Sequence, residues 1–341
     1  MRRADEGVGG RDIMTGTPDA ASSAGSTDAA RAAEAMTLTT ALIRGAHRHF
    51  HRFAMADARR PRMTAGAVLL GAIFFARRLK QFWREEKTVG ILLPPSVPAA
   101  LVNFAATLAG KAVVNFDYTM PQEMLEECAK KCGVESVVTL KVVVDYLPVK
   151  LPGQILFLDE AAAHPSFSEK RAALFLWPLP ARRIERKLSD GALAASSAAA
   201  KYLTETASGG FAAAIDTHAE IAARVEAMQR QLGIGAEDTI LGALPFCDSF
   251  GYETGLWLPA ISGVGITYHT NALDAASVSE TIRDYQITVL PTTADCLEIY
   301  TREWRREDVA SLRVVFTGDE IVPEALAKEF ESRFGVRPMR G

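Results

Sequence analysis

The sequence has few cysteines, almost no net charge and no apolar run long enough to span a bilayer. Four cysteines in 341 residues do not make a disulfide framework and indicate a reducing compartment such as the cytoplasm. A formal net charge of −3 gives no reason to expect a nucleic-acid partner. The most apolar segment, residues 64–76, is shorter than the ~20 residues of a membrane-spanning helix, which predicts a buried helix instead.

The sequence also lacks an evident cluster of metal ligands. Cys128 and Cys132 lie four residues apart without a second ligand pair, so we interpret them as small apolar residues of a helix core face. His47, His49 and His51 alternate, which points them in different directions on a helix. We interpret these histidines as part of a solvated basic helix end, and no residue is assigned to a metal.

Apolar strands alternate with amphipathic helices over most of the chain. Residues 1–36, rich in Ala, Gly, Ser and Asp, are predicted to be a disordered tail, followed by a folded region at 37–341. The alternation predicts an α/β fold with right-handed βαβ units and mostly parallel sheets. Two βαβ halves are expected at about 88–160 and 199–341, joined by an irregular connector at 161–198.

Capping and turn residues mark the ends of several predicted elements. A helical pattern covers 38–53, and Ser96 is predicted to cap a helix over 97–109. Further helices are predicted over 275–285 and after Pro323, which suits a first helical turn.

The connector contains a basic and aromatic segment at 170–187. Apolar residues flanked by lysine and arginine are typical of helices in a membrane interface. The alternative is a connector that packs its apolar side on the domain, which Pro178 and Pro180 favour slightly because they interrupt a helix. Both interpretations stay open.

Residues 202–218, YLTETASGGFAAAIDTH, have the outline of a phosphate-binding loop but contain no lysine or arginine. Two short strands flank small hydroxyl residues and paired glycines, which can offer N–H and O–H groups to phosphate oxygens. The nearest cations are Lys201 and Arg224. A capping box at the start of the next helix makes His218 a first-turn residue. Taken alone, the stretch is explained more simply as a polar hairpin.

Three blocks around this loop resemble the adenylate-forming acid–thiol ligases, in the order found in that family. They are VGILLPPSVPAALVNFAATLAGKAVVNFDYT, LPFCDSFGYETGLWLP and LRVVFTGDEIVP. Over roughly 38–341 the chain is most similar to acyl-CoA and acyl-carrier-protein synthetases of the branch that works with 2-acylglycerophosphoethanolamine acyltransferases. The resemblance implies that ATP with Mg²⁺ converts a fatty acid to an acyl-adenylate, and that CoA or an acyl-carrier protein then accepts the acyl group. It also implies a large N-terminal domain with two βαβ-type subdomains.

The resemblance assigns roles to individual residues. The phosphate loop would be formed by Thr204, Thr206, Ser208, Gly209 and Gly210. Asp248 would lie near the acyl carboxylate and its adenylate. Gly318, Asp319 and Glu320 would border the adenine. No catalytic residue is assigned.

The sequence departs from the family pattern in three places. Glu205 replaces a hydroxyl residue, Thr206 a glycine, and Ala212 stands at the position of a lysine. Because a charge-assisted hydrogen bond is worth roughly 1.5–3 kcal/mol, weaker triphosphate binding is expected. Asp248 replaces a histidine and is predicted to cap the following helix rather than act in catalysis. The chain ends at RPMRG, so the remaining adenine and Mg²⁺ residues and a small C-terminal domain with a catalytic lysine are expected to be missing from it.

Three functions follow as hypotheses. The first is an ATP-dependent fatty acid–thiol ligase, impaired or a fragment. The second is a non-catalytic relative that binds an acyl group or a nucleotide. The third is a module that contacts a membrane surface or a partner acyltransferase through 170–187. The expected location is the cytoplasm, with peripheral association with the inner membrane face as the alternative.

Overall fold

The structure, a computed structural model, describes residues 36–341 except 84, 147–149, 164–165, 190, 192 and 207–209. The predicted disordered tail therefore lies almost wholly outside the described residues.

Short strands and longer helices alternate along the described chain. The strands are β1 (Phe53–Asp57), β2 (Arg60–Thr64), β3 (Thr88–Ile91), β4 (Ala112–Asn115), β5 (Ser136–Thr139), β6 (Gln154–Phe157), β7 (Ala198–Glu205), β8 (Phe211–Thr217), β9 (Thr239–Gly242), β10 (Gly265–Tyr268), β11 (Val289–Thr292), β12 (Val314–Thr317) and β13 (Met339–Arg340). The helices are α1 (Leu38–Arg48), α2 (Ala65–Trp83), α3 (Val97–Leu108), α4 (Gln122–Cys132), α5 (Lys141–Tyr146), α6 (Leu158–Ala162), α7 (Phe167–Leu176), α8 (Ala181–Leu188), α9 (His218–Gln231), α10 (Ser249–Tyr252), α11 (Leu258–Ser262), α12 (Ala275–Tyr285), α13 (Ala294–Glu303) and α14 (Glu324–Phe334). A π-helical segment, Glu253–Trp257, joins α10 to α11.

The strands form two mostly parallel sheets, which confirms the predicted α/β fold. The first sheet has the order β6-β5-β3-β4-β7-β8, and β8 runs antiparallel to β7. The second has the order β13-β12-β11-β9-β10-β1-β2, and β2 runs antiparallel to β1. Each parallel crossover carries a helix, as the alternating pattern in the sequence requires.

The two sheets divide the chain differently from the two halves that the sequence indicated. The hairpin of β7 and β8 joins the first sheet, because Ala200 pairs with Val113 of β4. The predicted second half began at residue 199 and so included this hairpin. Residues 53–64 join the second sheet, where Met55 pairs with Ile266 of β10. Such long-range partners are chosen by packing and not by local pattern.

The predicted helix over 38–53 is too long by five residues. It ends at Arg48, and Phe53 begins a strand. Pairing with β10 buries Met55 and Ala56 at 3% and 0% exposure, which continuing the helix would not do.

Other predicted helices are confirmed closely. Ser96 caps α3 by accepting a hydrogen bond from the Ala99 N–H, and helix α12 has the predicted bounds. Helix α2 packs its apolar side into the main core, as predicted for residues 64–76. The structure also places Cys128 and Cys132 in a core, at 3% and 1% exposure.

The connector between the sheets is more regular than predicted. It forms α7 and α8, and the turn at Trp177–Pro180 separates them, where Pro178 and Pro180 interrupt the helix. Both helices pack against α2. Within the described ranges, no helix is both long enough and apolar enough to cross a membrane.

Candidate functional site

Three loops meet where the strands of the two sheets end. Asp117 and Tyr118 follow β4 of the first sheet, while Cys247 and Asp248 follow β9 of the second. The carboxylate of Asp117 acts electrostatically on both Cys247 and Asp248. The carboxyl ends of parallel strands are where open α/β folds bind ligands. The turn Gly318–Glu320, which follows β12, lies at the same edge. We call these residues, with Phe250, the carboxyl-edge cluster.

Asp248 is the N-cap of α10, as the sequence predicted. Its Oδ1 accepts a hydrogen bond of 2.7 Å from the backbone N–H of Gly251. A capping carboxylate uses one of its oxygens on the helix, so it is not available as an unengaged base.

The carboxyl-edge cluster is rich in negative charge. Loss of hydration, together with the nearby carboxylates of Glu320 and Asp117, raises the pKa of Asp248 above its usual value. The N–H groups of Gly251 and Phe250 oppose this rise but do not cancel it. An anionic ligand placed here therefore requires a compensating cation.

The turn after β12 contacts α10 through a glycine. A Cβ at Gly318 would lie 3.0 Å from the Phe250 ring, so only glycine lets the two segments approach this closely. The Phe250 ring also meets Phe316 edge-on, with centroids 5.6 Å apart. The apolar contact fixes the turn beside Asp248.

The two acidic residues of this turn have structural partners. Glu320 accepts a hydrogen bond of 2.8 Å from the N–H of Ala294 and so helps to cap α13. Asp319 is fully exposed, and its Oδ1 accepts from Nη2 of Arg340 at 3.0 Å. The structure thus brings Gly318 and Glu320 to the same edge as Asp248, while Asp319 points to solvent.

The candidate phosphate loop is the tip of a β-hairpin. Strand residue Thr204 is exposed and lies opposite Ala212. At the tip, the Thr206 hydroxyl accepts from the Gly210 N–H at 3.1 Å, and the Thr206 N–H donates to the Gly210 carbonyl at 2.7 Å. Ser208 and Gly209 lie outside the described residues.

Both cations that stand on either side of this loop in the sequence are engaged away from the hairpin tip. Lys201 donates from Nζ to the carbonyl of Cys132 at 2.7 Å. Arg224 bonds to Asp216 and Glu253 at 2.6 and 2.7 Å. Neither side chain is directed to the hairpin tip by these contacts.

A buried acid near this site was missed by the sequence analysis. Glu253 begins the π-helical segment and is only 3% exposed. Burial raises its pKa to about 7, although Arg224 lowers it; the carboxylates of Asp216 and Asp248 add to the rise. A glutamate inside the apolar run YETGLWLP was the available signal, because a charge there must be buried with a partner.

His218 is the first residue of α9, as predicted. Thr217 and Glu220 form the capping box in front of it. The ring is 2% exposed, burial lowers its pKa to about 4, and its Nδ1 has no hydrogen-bond partner within the described part of the chain. His218 is therefore a buried neutral residue, and we do not include it in the carboxyl-edge cluster.

A narrow apolar cavity of about 40 Å³ lies behind the π-helical segment. Its walls include Leu42, Met55, Phe104, Leu256 and Tyr268. The Tyr268 hydroxyl donates to the Gly255 carbonyl at 2.7 Å. The cavity therefore suits an apolar group, and it is too small for a long chain unless its walls separate.

The described residues do not form a metal site of their own, since no three of their histidine, cysteine or acidic side chains converge. A hard cation such as Mg²⁺ would here need oxygen ligands from a bound phosphate group as well.

Comparison with known proteins gives a family match for the C-terminal part of the chain. Residues 208–340 match the family of AMP-binding enzymes. Over these residues the chain is similar to adenylate-forming, AMP-binding enzymes. A similar protein is a propanoyl:CoA ligase of Rhodococcus jostii (strain RHA1), whose acyl group carries a 7a-methyl-1,5-dioxo-octahydro-1H-inden-4-yl substituent. It is 32% identical over 101 residues, which are 29% of this chain and 19% of the ligase.

Several solved structures share the fold of this chain. The nonribosomal peptide synthetase FmoA3 in its AMPPNP-bound form has a TM-score of 0.73 at 16% identity, over 90% of this chain and 31% of the synthetase. The N-terminal subdomain of Klebsiella oxytoca NpsA, in complex with 3-hydroxybenzoyl-AMSN, has a TM-score of 0.70 at 14% identity, over 89% of this chain and 72% of that subdomain. VinN in complex with L-aspartate has a TM-score of 0.69 at 17% identity, over 90% of this chain and 76% of VinN. The fold of the described residues thus corresponds to that of the N-terminal subdomain of NpsA.

Proposed function

We propose that this chain forms the nucleotide- and acyl-binding part of an ATP-dependent acid–thiol ligase of the fatty-acid class. The observation that carries the proposal is the carboxyl-edge cluster, where Asp248, Phe250 and Gly318 meet opposite Asp117 of the other sheet. Doubly wound folds bind ligands at this position. The reaction would form an acyl-adenylate and then an acyl thioester with CoA or an acyl-carrier protein.

The site would contact ATP through an adenine side and a phosphate side. On the adenine side, the turn at Gly318 packs on the Phe250 ring, and an adenine would lie beside these two segments. On the phosphate side, the exposed hydroxyl of Thr204 is a donor that the described part of the hairpin offers. ATP would supply the activating adenylyl group, and Mg²⁺ would enter with the phosphates, because the described residues do not hold it alone.

The fatty-acid class is supported by the sequence resemblance and by the apolar cavity. Leu256 and Tyr268 line that cavity, which would admit an acyl chain only if its walls separate. Most of the lining is apolar, with His49 and Tyr268 as polar members, so an apolar group is favoured there over a charged one such as the aspartate side chain.

The second candidate function is a relative that binds an acyl group or a nucleotide without catalysis. The engagement of Lys201 by Cys132, and of Arg224 by Asp216 and Glu253, favours it. Without a cation at Ala212, triphosphate binding loses on the order of tenfold or more in affinity.

Pyrophosphate exchange into ATP decides between the two functions. The chain is incubated with ATP, Mg²⁺, labelled pyrophosphate and one acid from a panel of decanoate, benzoate and aspartate. We expect exchange with decanoate above the other acids. The Phe250→Ala variant should lower it, while Phe82→Ala, a partly exposed site outside the cluster, should not.

Each other result has a defined meaning. Exchange with benzoate or aspartate alone would overturn the fatty-acid class and keep the ligase. Decanoate retained by the chain without ATP, and no exchange, would establish the second candidate. An absence of exchange, of ATP binding by calorimetry and of decanoate retention would overturn both.

A further inference from the structure

Helix α7 exposes an apolar stripe that the core does not use. Ala173 and Leu176 are buried against the main core. On the other side Phe167, Leu174 and Phe175 are 75%, 54% and 69% exposed. Because these three residues follow helical spacing, they lie on one face of α7.

A cation lies within this apolar stripe. The guanidinium carbon of Arg171 is 5.8 Å from the centre of the Phe167 ring and 5.8 Å from that of the Phe175 ring. Aromatic rings that flank an exposed arginine are suited to the boundary between lipid headgroups and acyl chains.

Helix α8 continues this surface with charge. It buries Ala181, Ile184 and Leu188 and exposes Arg182, Arg183, Arg186 and Lys187. Within the described residues, none of these four cations forms an ion pair. Four cations on the exposed side of one helix repel one another unless an anionic partner is present.

The end of α1 joins the same surface through Trp177. The Phe50 ring stacks on Trp177 with centroids 4.4 Å apart. The carbonyl of Trp177 lies 2.6 Å from Nε2 of His47. Arg48 and Trp177 line one shallow surface depression, so the basic end of α1 lies beside the turn between α7 and α8.

The local charge is opposite to that of the chain as a whole. Residues 36–53 and 166–189 contain nine lysines and arginines and two glutamates, whereas the whole chain contains 38 basic and 41 acidic residues. Both glutamates are engaged. Glu185 is buried and accepts from the hydroxyls of Thr37 and Thr40. Glu169 bonds to Ser166 and pairs with Arg78.

We propose that α7, Trp177, α8 and the end of α1 form a face that docks on an anionic lipid surface. We call it the basic–aromatic face. The four cations of α8 meet the lipid headgroups, and Phe167, Leu174 and Phe175 enter the boundary with the acyl chains. Charge complementarity selects an anionic membrane, since a neutral partner would leave the four cations unpaired.

Vesicle flotation tests the proposal with the chain as it exists. Vesicles of phosphatidylcholine alone are compared with vesicles that also contain phosphatidylglycerol. We expect binding to the anionic vesicles only, and a decrease at high salt because surface charges are screened. The double variant Arg182→Gln with Arg186→Gln should weaken binding on the order of twentyfold, at about fivefold for each cation.

A second pair of variants tests the apolar stripe. Phe167→Ser with Phe175→Ser should abolish flotation, since both rings are exposed and no core contact is lost. Matched controls are Ile321→Ser with Leu273→Ser, which are 82% and 61% exposed elsewhere, and Arg305→Gln with Arg306→Gln. The controls should bind vesicles like the unmodified chain, and thermal unfolding checks that every variant is folded.

Three results would overturn the proposal. The first is an absence of flotation with both kinds of vesicle. The second is equal binding to neutral and anionic vesicles. The third is an equal loss of binding in the controls and in the variants of the face.

Discussion

Arg224 joins the candidate phosphate hairpin to the π-helical segment by bonding to both Asp216 and Glu253. Its Nε donates to Oε1 of Glu253 at 2.7 Å, and its Nη2 donates to Asp216 of β8 at 2.6 Å. Glu253 belongs to the π-helical segment that follows Asp248 by five residues. A change in the charge of Glu253 would therefore act on both the β7–β8 hairpin and the π-helical segment.

Glu253→Gln should change how stability depends on pH. The folded pKa of about 7 is above the ordinary 4.5, so the folded state holds the proton more tightly than the unfolded state. This contribution is complete below pH 4.5 and is lost as the pH rises through 7. Relative to the variant, the unmodified chain should lose about 2 to 3 kcal/mol between pH 4.5 and pH 8.5.

Urea unfolding at several pH values measures this difference. Glu237→Gln, at an exposed position outside the cluster, serves as the control and should leave the pH profile unchanged. Parallel profiles for Glu253→Gln and the unmodified chain would show that Glu253 is charged throughout the range.

Gly251→Ala should destabilise the chain strongly. A Cβ at Gly251 would lie 1.8 Å from the Pro245 carbonyl oxygen, so the backbone beside Asp248 would have to move. We expect a loss of about 2 to 4 kcal/mol in the free energy of unfolding. Gly235→Ala, where the Cβ meets no atom within 4 Å, should change it by less than about 0.5 kcal/mol. Equal effects of the two substitutions in denaturant unfolding would contradict the close packing.

Two substitutions of Asp248 distinguish its role as a helix cap from the effect of its negative charge. They are Asp248→Asn and Asp248→Ala. Asparagine caps a helix as well as aspartate does, whereas alanine should cost about 1 kcal/mol. Because the folded pKa of Asp248 is raised, the asparagine variant should gain stability over the unmodified chain as the pH rises. Calorimetry should also show tighter ATP binding by the asparagine variant, since a negative charge is removed. Equal ATP affinity would place the phosphates away from Asp248.

Ala212→Lys should strengthen ATP binding if the hairpin holds phosphate. The residue lies opposite Thr204 near the tip, and one charge-assisted hydrogen bond is worth about tenfold in affinity. Ala214→Lys adds the same charge on the same strand two residues farther from the tip and is the matched control. Titration of both variants with ATP distinguishes the two positions. Equal gains would reflect net charge alone and would remove the hairpin from the nucleotide site.

The sequence by itself determined the fold class and most element ends. Strand–helix alternation gave the parallel sheets, and local signals such as Ser96 before α3 need only their neighbours to act. The cap at Asp248 is local for the same reason, because its acceptor and donor are three residues apart. The missing cation of the hairpin could also be read directly from residues 202–223.

Only the tertiary structure decided which distant segments meet. Strand β1 pairs with β10 across some two hundred residues, and the β7–β8 hairpin joins the first sheet, because burial and register select these partners. The tertiary structure also decided that Lys201 bonds to the Cys132 carbonyl and that the pKa of Glu253 is raised. A local pattern gives the polarity of a side chain, but its partner and its loss of hydration depend on how the whole chain packs.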